Sequence, residues 1–599
     1  MQHRKAEWTR RLAPFVLVAL AADSGCSRRA DAPPCPPASP CPASAAPGDA
    51  RGGEDAPAAA IAETPIVEPL SPLPAELLEN VRLETEDDLR AWLDLLDAEV
   101  EAIHTARQLE FYLRLVGRPA PNVGRYQELH RRLFADRQAA ARLEAWRDRV
   151  EDPATKRRVE LYLGRYLDFL YDTFRLARSE PETRARFTAL QDELDAAMVA
   201  FRPEVGGERT TRAKVSILLR TEPDRALRRE AYLSRAEASA ALADRMRELL
   251  EVSNALHRQM GYAGTVEGRL EQSGLERKEV EAWLDELERA TREPYAELLE
   301  RARTDLGVER VEAWDLDYWL EQAGSYPAQA FPKAEAVSRL KDAMRGWGLD
   351  PDALPVTIEE ANLSNAGWNI PIRIPADVRL VLNPTDGFPF YSTLFHEYGH
   401  ALHESGIAQE VGTFRSDRPG QFGEGMAATV ERICGMRAWQ GRAAGLDEAT
   451  MARAEQVERW RKIRRLRSLI AKNRFHYAAF DDPAADLDAL EARLSEDLLG
   501  VPGPERPLWA DDMFLAQPQI YVQNYLLGEM VAAQVWETLR ARFAPDPTAD
   551  PRVGPFLREA FWRHGQARDW RELIAEATGR PLDAQALVTE LTAGGAGSD

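Results

Sequence analysis

The sequence predicts a mainly helical protein with one small sheet, from three observations. Apolar residues recur at three-to-four-residue spacing from about Glu76 almost to the end of the chain. A single short β-branched run, Val378-Arg379-Leu380-Val381-Leu382, stands apart from that rule, bounded by Pro375 and by Asn383-Pro384. No fixed-period repeat of the solenoid kind is present.

With 599 residues, 44% hydrophobic and 29% charged, the chain has a soluble globular balance and length enough for more than one subdomain. A formal charge of −21 argues against a nucleic-acid partner, because phosphate backbones need a basic face. The same charge says nothing against a peptide.

At the start, Arg4, Lys5, Arg10 and Arg11 precede the apolar run Leu12 to Ala22, too short to cross a bilayer. Residues 1–25 read as an export signal, placing the protein in the periplasm or on the outer surface. Ala22-Asp23-Ser24-Gly25-Cys26 resembles a bacterial lipoprotein signal, in which Cys26 carries a lipid anchor. Ordinary cleavage after Ala21 or Ala22 is the alternative, and the residues leave both open. Residues 26–75, rich in Pro, Ala and Ser, read as a disordered tether. Cys35 and Cys41 fall in it, so Cys434 is alone in the body and reads as a small buried residue rather than part of a disulfide framework.

From residue 76 to about 330 the pattern predicts an N-terminal helical subdomain. Leu77, Leu78 and Val81, then Trp92, Leu95, Leu96 and Val100, make one stripe; Leu163, Tyr166, Leu167, Leu170 and Phe174 make another. Residues 331–593 form the second subdomain, intertwined with the first. Its strand at Val378 to Leu382 reads two ways: as the rim of a cleft offering its edge to an extended peptide, or as a buried strand without such contact.

Just beyond lies His396-Glu397-Tyr398-Gly399-His400, an H-E-x-x-H motif with helical flanks. Histidines four apart share one helix face, so both imidazoles reach one metal, while Glu397 projects beside it as general base. A catalytic zinc needs a third protein ligand and an open position. Position 406 is Gly406, which excludes a histidine six residues on, and His403 points elsewhere around the helix as a packing or outer residue. A glutamate on a following helix remains, and Glu424 lies there, after a reversal spanning Gly412-Thr413-Phe414 to Pro419-Gly420. One zinc ion per chain, bound by His396, His400 and Glu424, is the expected cofactor.

These residues, with Gly412-Thr413, resemble the oligopeptidases related to thimet oligopeptidase and oligoendopeptidase F, and the peptidyl-dipeptidase A group to which angiotensin-converting enzyme belongs. Glu431 falls where oligoendopeptidase F-like chains carry a second glutamate. Ile520 to Gly528 is similar to the aromatic segment lining those active sites, and Trp570 with Thr578-Gly579-Arg580-Pro581-Leu582 to their closing pattern. The resemblance covers roughly residues 360 to 590. It implies two helical subdomains flanking a deep active-site channel, zinc at its floor, a sheet near the zinc-binding helix, and a monomer acting on short peptides. Tyr525, with Tyr521 beside it, would donate to the oxyanion; aromatic core packing is the other reading of both.

Two departures stand out. Trp509 to Gln519 lacks the histidine that stabilises the oxyanion in the related enzymes, and Ala428 replaces an acidic residue behind a ligand histidine. Glu431 or Asp417 are the substitutes within reach. The expectation is zinc-dependent hydrolysis of short peptides; a catalytically weakened, surface-tethered zinc-binding protein is the alternative.

Overall fold

Thr85 opens the first long helix, α1 (Glu86–Leu115), by a reciprocal cap. Its hydroxyl accepts the Asp88 N–H at 3.2 Å, and the Asp88 carboxylate accepts the Thr85 N–H at 2.8 Å, which satisfies two donors a helix start leaves open. The computed structural model describes residues 82–592 apart from 165–172, 325, 362, 364–366 and 417–418. The export signal, Cys26 and the tether lie outside the described residues, as do Leu77, Leu78, Val81, Tyr166, Leu167, Leu170 and Asp417.

The expected stripe on α1 holds at Trp92 and Leu96, both buried, but Leu95 turns outward at 52% exposure. Neighbouring helical positions are about 100° apart, so Leu95 and Leu96 cannot share one narrow stripe. Phe174 is buried, though in a short 3₁₀ turn, Phe174–Arg178, rather than a long helix.

The protein is mainly helical, and two large apolar clusters make up most of its interior. One joins α1 to the helices Val123–Phe134, Arg137–Trp146 and Pro153–Leu163 and reaches Tyr262. The larger runs from Leu190 to Leu591 and crosses residue 330 without a break. The helices α2 (Ala236–Gln259) and α3 (Arg277–Leu306) enter it through Leu249 and Leu284, both fully buried.

Three strands form the sheet beside the motif: β1 (Val356–Glu360), β2 (Gly367–Arg373) and β3 (Asp377–Leu382). Their order is β1-β3-β2, parallel between β1 and β3 and antiparallel between β3 and β2, with Ile358 opposite Leu380 and Asn369 opposite Leu380 on the other side. The strand expected from Val378 to Leu382 is therefore the central one. Both its edges are paired and all its residues are buried, so it cannot offer an edge to a peptide. Its alternate residues explain the continuous apolar run: Val378, Leu380 and Leu382 face the main core, and Val381 joins Ile370, Ile372 and Tyr112 of α1 in a separate cluster on the other face.

On α2, His257 is 1% exposed, with Nδ1 2.8 Å from the Ser253 carbonyl oxygen. Burial, and then the nearby Arg269 guanidinium, push its imidazole down to about 3. The unfolded chain binds this proton near pH 6.5 and the folded chain does not, so the stabilising contribution is present above pH 6.5 and lost as pH falls towards 3. Denaturant melts between pH 6.5 and 4 should lose on the order of 1 kcal/mol per pH unit through this group. In His257→Gln that slope should be shallower.

Candidate metal centre

The motif helix, α4 (Phe388–Gly406), begins after Gly387 with Pro389 in its first turn, where the missing N–H costs nothing. One helical turn separates His396 from His400, and their ring centroids are 5.0 Å apart. After the 3₁₀ turn Gly412–Phe414 the chain re-enters as α5 (Gly420–Gly435), packed between α4 and α7 (Val522–Arg542).

Glycines set how closely these helices approach. A Cβ on Gly399 would lie 2.7 Å from Ala427 Cα, one on Gly425 would lie 2.5 Å from Val531 Cγ1, and one on Gly528 would lie 2.8 Å from Glu424 Cβ. No real side chain fits at such distances, so the three helices meet almost backbone to backbone, and Glu424 is carried to the histidines.

Glu424 Oε2 lies 3.4 Å from His396 Nε2 and 4.0 Å from His400 Nε2. One donor atom from each of the three falls within 4.8 Å of the others. Two ligands bonded to one zinc at about 2.1 Å and a tetrahedral angle are roughly 3.4 Å apart, so this set fits a tetrahedral ion with one position left for another ligand. The residues predicted as ligands are thus brought together.

Outer partners fix the donors. His396 Nδ1 is 2.9 Å from Glu431 Oε2, and Ser392 Oγ donates to the other Glu431 oxygen. Glu431, two turns along α5 from Glu424, therefore occupies the orienting role that Ala428 cannot fill. Tyr521 Oη donates to Glu424 Oε1 at 3.0 Å, which makes it a partner of the carboxylate in this structure. Tyr525 packs next to it, its centroid 5.4 Å from that of Tyr521 and 6.2 Å from that of Phe514, both pairs T-shaped. His403 is fully buried with its ring 5.3 Å from Phe422, a packing position. Cys434 is buried as expected.

Charge is concentrated here. Burial would raise the Glu424 carboxyl, but the two histidines and Tyr521 outweigh it and hold it at about 2. Burial likewise would lower the His396 imidazolium, and Glu424 with Glu431 instead raises it well above its usual range. The donor set thus favours positive charge at its centre. Glu397 behaves differently: burial pushes it up to about 7, with His396 opposing, Glu424 adding, and the Asn369 backbone N–H donating to it.

Several contributors escaped the sequence reading. Asn369 of β2 also uses its side-chain amide, donating to Glu404 Oε2 at 2.7 Å, which ties the strand to the motif helix. Gly367 lies so close that a Cβ would meet Leu382 Cδ2 at 2.8 Å and Glu397 Cγ at 3.4 Å. On the far side, Asp97 of α1 accepts the Thr413 N–H at 3.2 Å, the Thr413 hydroxyl, the Tyr162 phenol at 2.6 Å and an Arg158 N–H at 2.9 Å. Arg415 adds a 3.1 Å ion pair to Glu101, so α1 clamps the reversal between the ligand helices. Ser392, which the sequence reading also passed over, lies one turn before His396 and so had a local signal.

No protein-family model matches this chain, and no curated protein matches it. Among solved structures, 159 chains match. One is the crystal structure of M32 carboxypeptidase from Deinococcus radiodurans R1, with a TM-score of 0.61 at 16% identity, covering 84% of this chain and 98% of that chain. The shared feature is the mainly helical fold. The families whose motifs the sequence resembles are different ones, and at this identity the likeness speaks for architecture alone.

Glu431→Ala should weaken zinc binding about 10- to 100-fold in a competition titration against a chromophoric chelator. In the same titration Gly528→Ala, which drives a methyl into Glu424, should lose at least about tenfold, while Gly441→Ala, with open space around its Cβ, should match the wild type.

Proposed function

We propose that this chain hydrolyses peptide bonds of short peptides with one zinc ion held by His396, His400 and Glu424. The observation that carries the reading is the convergence of those three donors, within 4.8 Å of one another, beside a buried Glu397. A zinc ion held there supplies Lewis acidity, drawing charge from the scissile carbonyl and easing deprotonation of the attacking water.

The remaining steps belong to the chain's own groups. Glu397 takes a proton from the attacking water and returns it to the leaving amine; its burial favours holding that proton between the two transfers. Glu431 and Tyr521 keep His396 and Glu424 in place. Because the Tyr521 phenol is engaged with Glu424, the hydrogen bond to the developing oxyanion falls first to Tyr525, whose role replaces that of the histidine absent from Trp509 to Gln519. The motif resemblance favours an oligopeptidase or peptidyl-dipeptidase; the fold likeness to a carboxypeptidase favours removal of residues from the carboxyl end. Export and anchoring through Cys26 complete the proposal, checked by palmitate labelling that Cys26→Ser abolishes.

Purified protein and a library of short peptides, each with a free or an amidated carboxyl end, test this. Glu397→Gln should keep one zinc per chain and lose at least about a thousandfold in kcat; retained turnover would remove Glu397 as the base. Tyr525→Phe should lower kcat by roughly 10²- to 10³-fold while zinc content stays unchanged. Cleavage restricted to free carboxyl ends identifies trimming, and cleavage of both sets identifies an oligopeptidase.

A further inference from the structure

Away from the metal centre, a cavity of about 260 Å³ opens where α3 and the helices Arg212–Thr221, Arg225–Leu233, Ala313–Gln322 and Glu448–Asp481 (α6) meet. Its volume is close to the lower end of small-molecule pockets, roughly 300 Å³, and suits a molecule of amino-acid size. The walls divide by chemistry. Tyr232, Tyr295 and Leu316 make an apolar and aromatic side, while Arg235, Arg464 and Asp317 make a charged one.

The charged side is only partly spent on the protein itself. Arg235 directs Nε and Nη2 at Asp511, 2.7 Å to the carboxylate and 2.9 Å to its carbonyl oxygen, so Nη1 is not used in that pair. Arg464 reaches Asp317 Oδ1 through Nη2 at 2.9 Å, which leaves Oδ2 of Asp317 for another donor. Two guanidinium groups and one half-engaged carboxylate thus stand beside an apolar wall. A carboxylate suits paired guanidinium donors, an ammonium suits Asp317, and a hydrophobic side chain suits the tyrosine wall.

We propose that this cavity binds a free α-amino acid with an apolar or aromatic side chain. The site stands independently of the chemistry at the zinc ligands. It is not isolated from them in space, however. Arg235 holds Asp511, and the next residue, Asp512, pairs with Lys472 and His476 of α6, each at 2.9 Å. Two residues further, the Phe514 ring meets Tyr525, with centroids 6.2 Å apart.

The test is isothermal titration of L-phenylalanine into metal-free protein, so that neither zinc nor turnover enters the result. Phenethylamine and 3-phenylpropionate, which lack the carboxylate and the ammonium respectively, are the comparison probes. Saturable binding of L-phenylalanine is expected, at least tenfold weaker for each comparison probe and for Arg464→Gln, with Ser468→Phe closing the cavity and abolishing it. Thermal melts of both variants check that they fold. No saturable heat in folded wild-type protein, or equal binding in wild type, Arg464→Gln and Ser468→Phe, overturns the proposal. The Glu397→Gln protein should bind as wild type does, which separates failure here from failure of the peptidase reading.

Discussion

Everything at the metal centre depends on how closely three helices approach. Two histidines on one helix cost little to arrange, because one turn of α4 delivers both. The third donor is harder, since Glu424 lives on a separate helix with its own freedom to slide and rotate. Gly399, Gly425 and Gly528 remove that freedom by letting α4, α5 and α7 touch at backbone distance. A small rotation of α5 would carry its carboxylate off the histidines, and misplacement by about 1 Å at a reacting centre is worth roughly a hundredfold in rate.

The second constraint is electrostatic. Glu397, Glu424 and Glu431 crowd around two imidazoles in a largely buried place, an arrangement costly to a folded protein unless something positive sits among them. The roles are kept apart by partners rather than by residue type. Glu424 is held by both histidines and a phenol, Glu431 by the far nitrogen of His396 and by Ser392, and Glu397 by one backbone N–H in a drier setting. Three identical side chains thereby become a candidate metal donor, a partner that fixes a histidine ring, and a carboxyl raised to about 7 by burial.

What the sequence could reveal follows from distance along the chain. His396, Glu397 and His400 were legible because their geometry is set within one turn. Glu424 was reached by exclusion and by its place on the next helix, and Glu431 through the resemblance and as one of two substitutes, since a heptad offset says which face it shares but not what faces it. The β-branched run announced a strand at Val378, yet nothing local told that β1 and β2 would cover both edges. Leu95 misled because a periodic pattern tolerates one outward position. Asn369, Asp97 and the glycine contacts were invisible, since a glycine's reason for being small lies in the helix opposite.

The clamp from α1 onto the reversal between the ligand helices has a consequence for how this molecule is made. Asp97 and Thr413 are 316 residues apart, so their hydrogen bond is among the longest loops the chain must close. Asp97 is synthesised long before Thr413, whereas its partners Arg158 and Tyr162 lie only 61 and 65 residues further along the chain. A fragment beginning at residue 331 would carry all three metal donors and Glu397, yet it would lack the helix that holds the turn between them and much of the cluster that begins at Leu190. The three candidate metal donors are therefore encoded within a few dozen residues, but the smallest piece able to present them is close to the whole folded body.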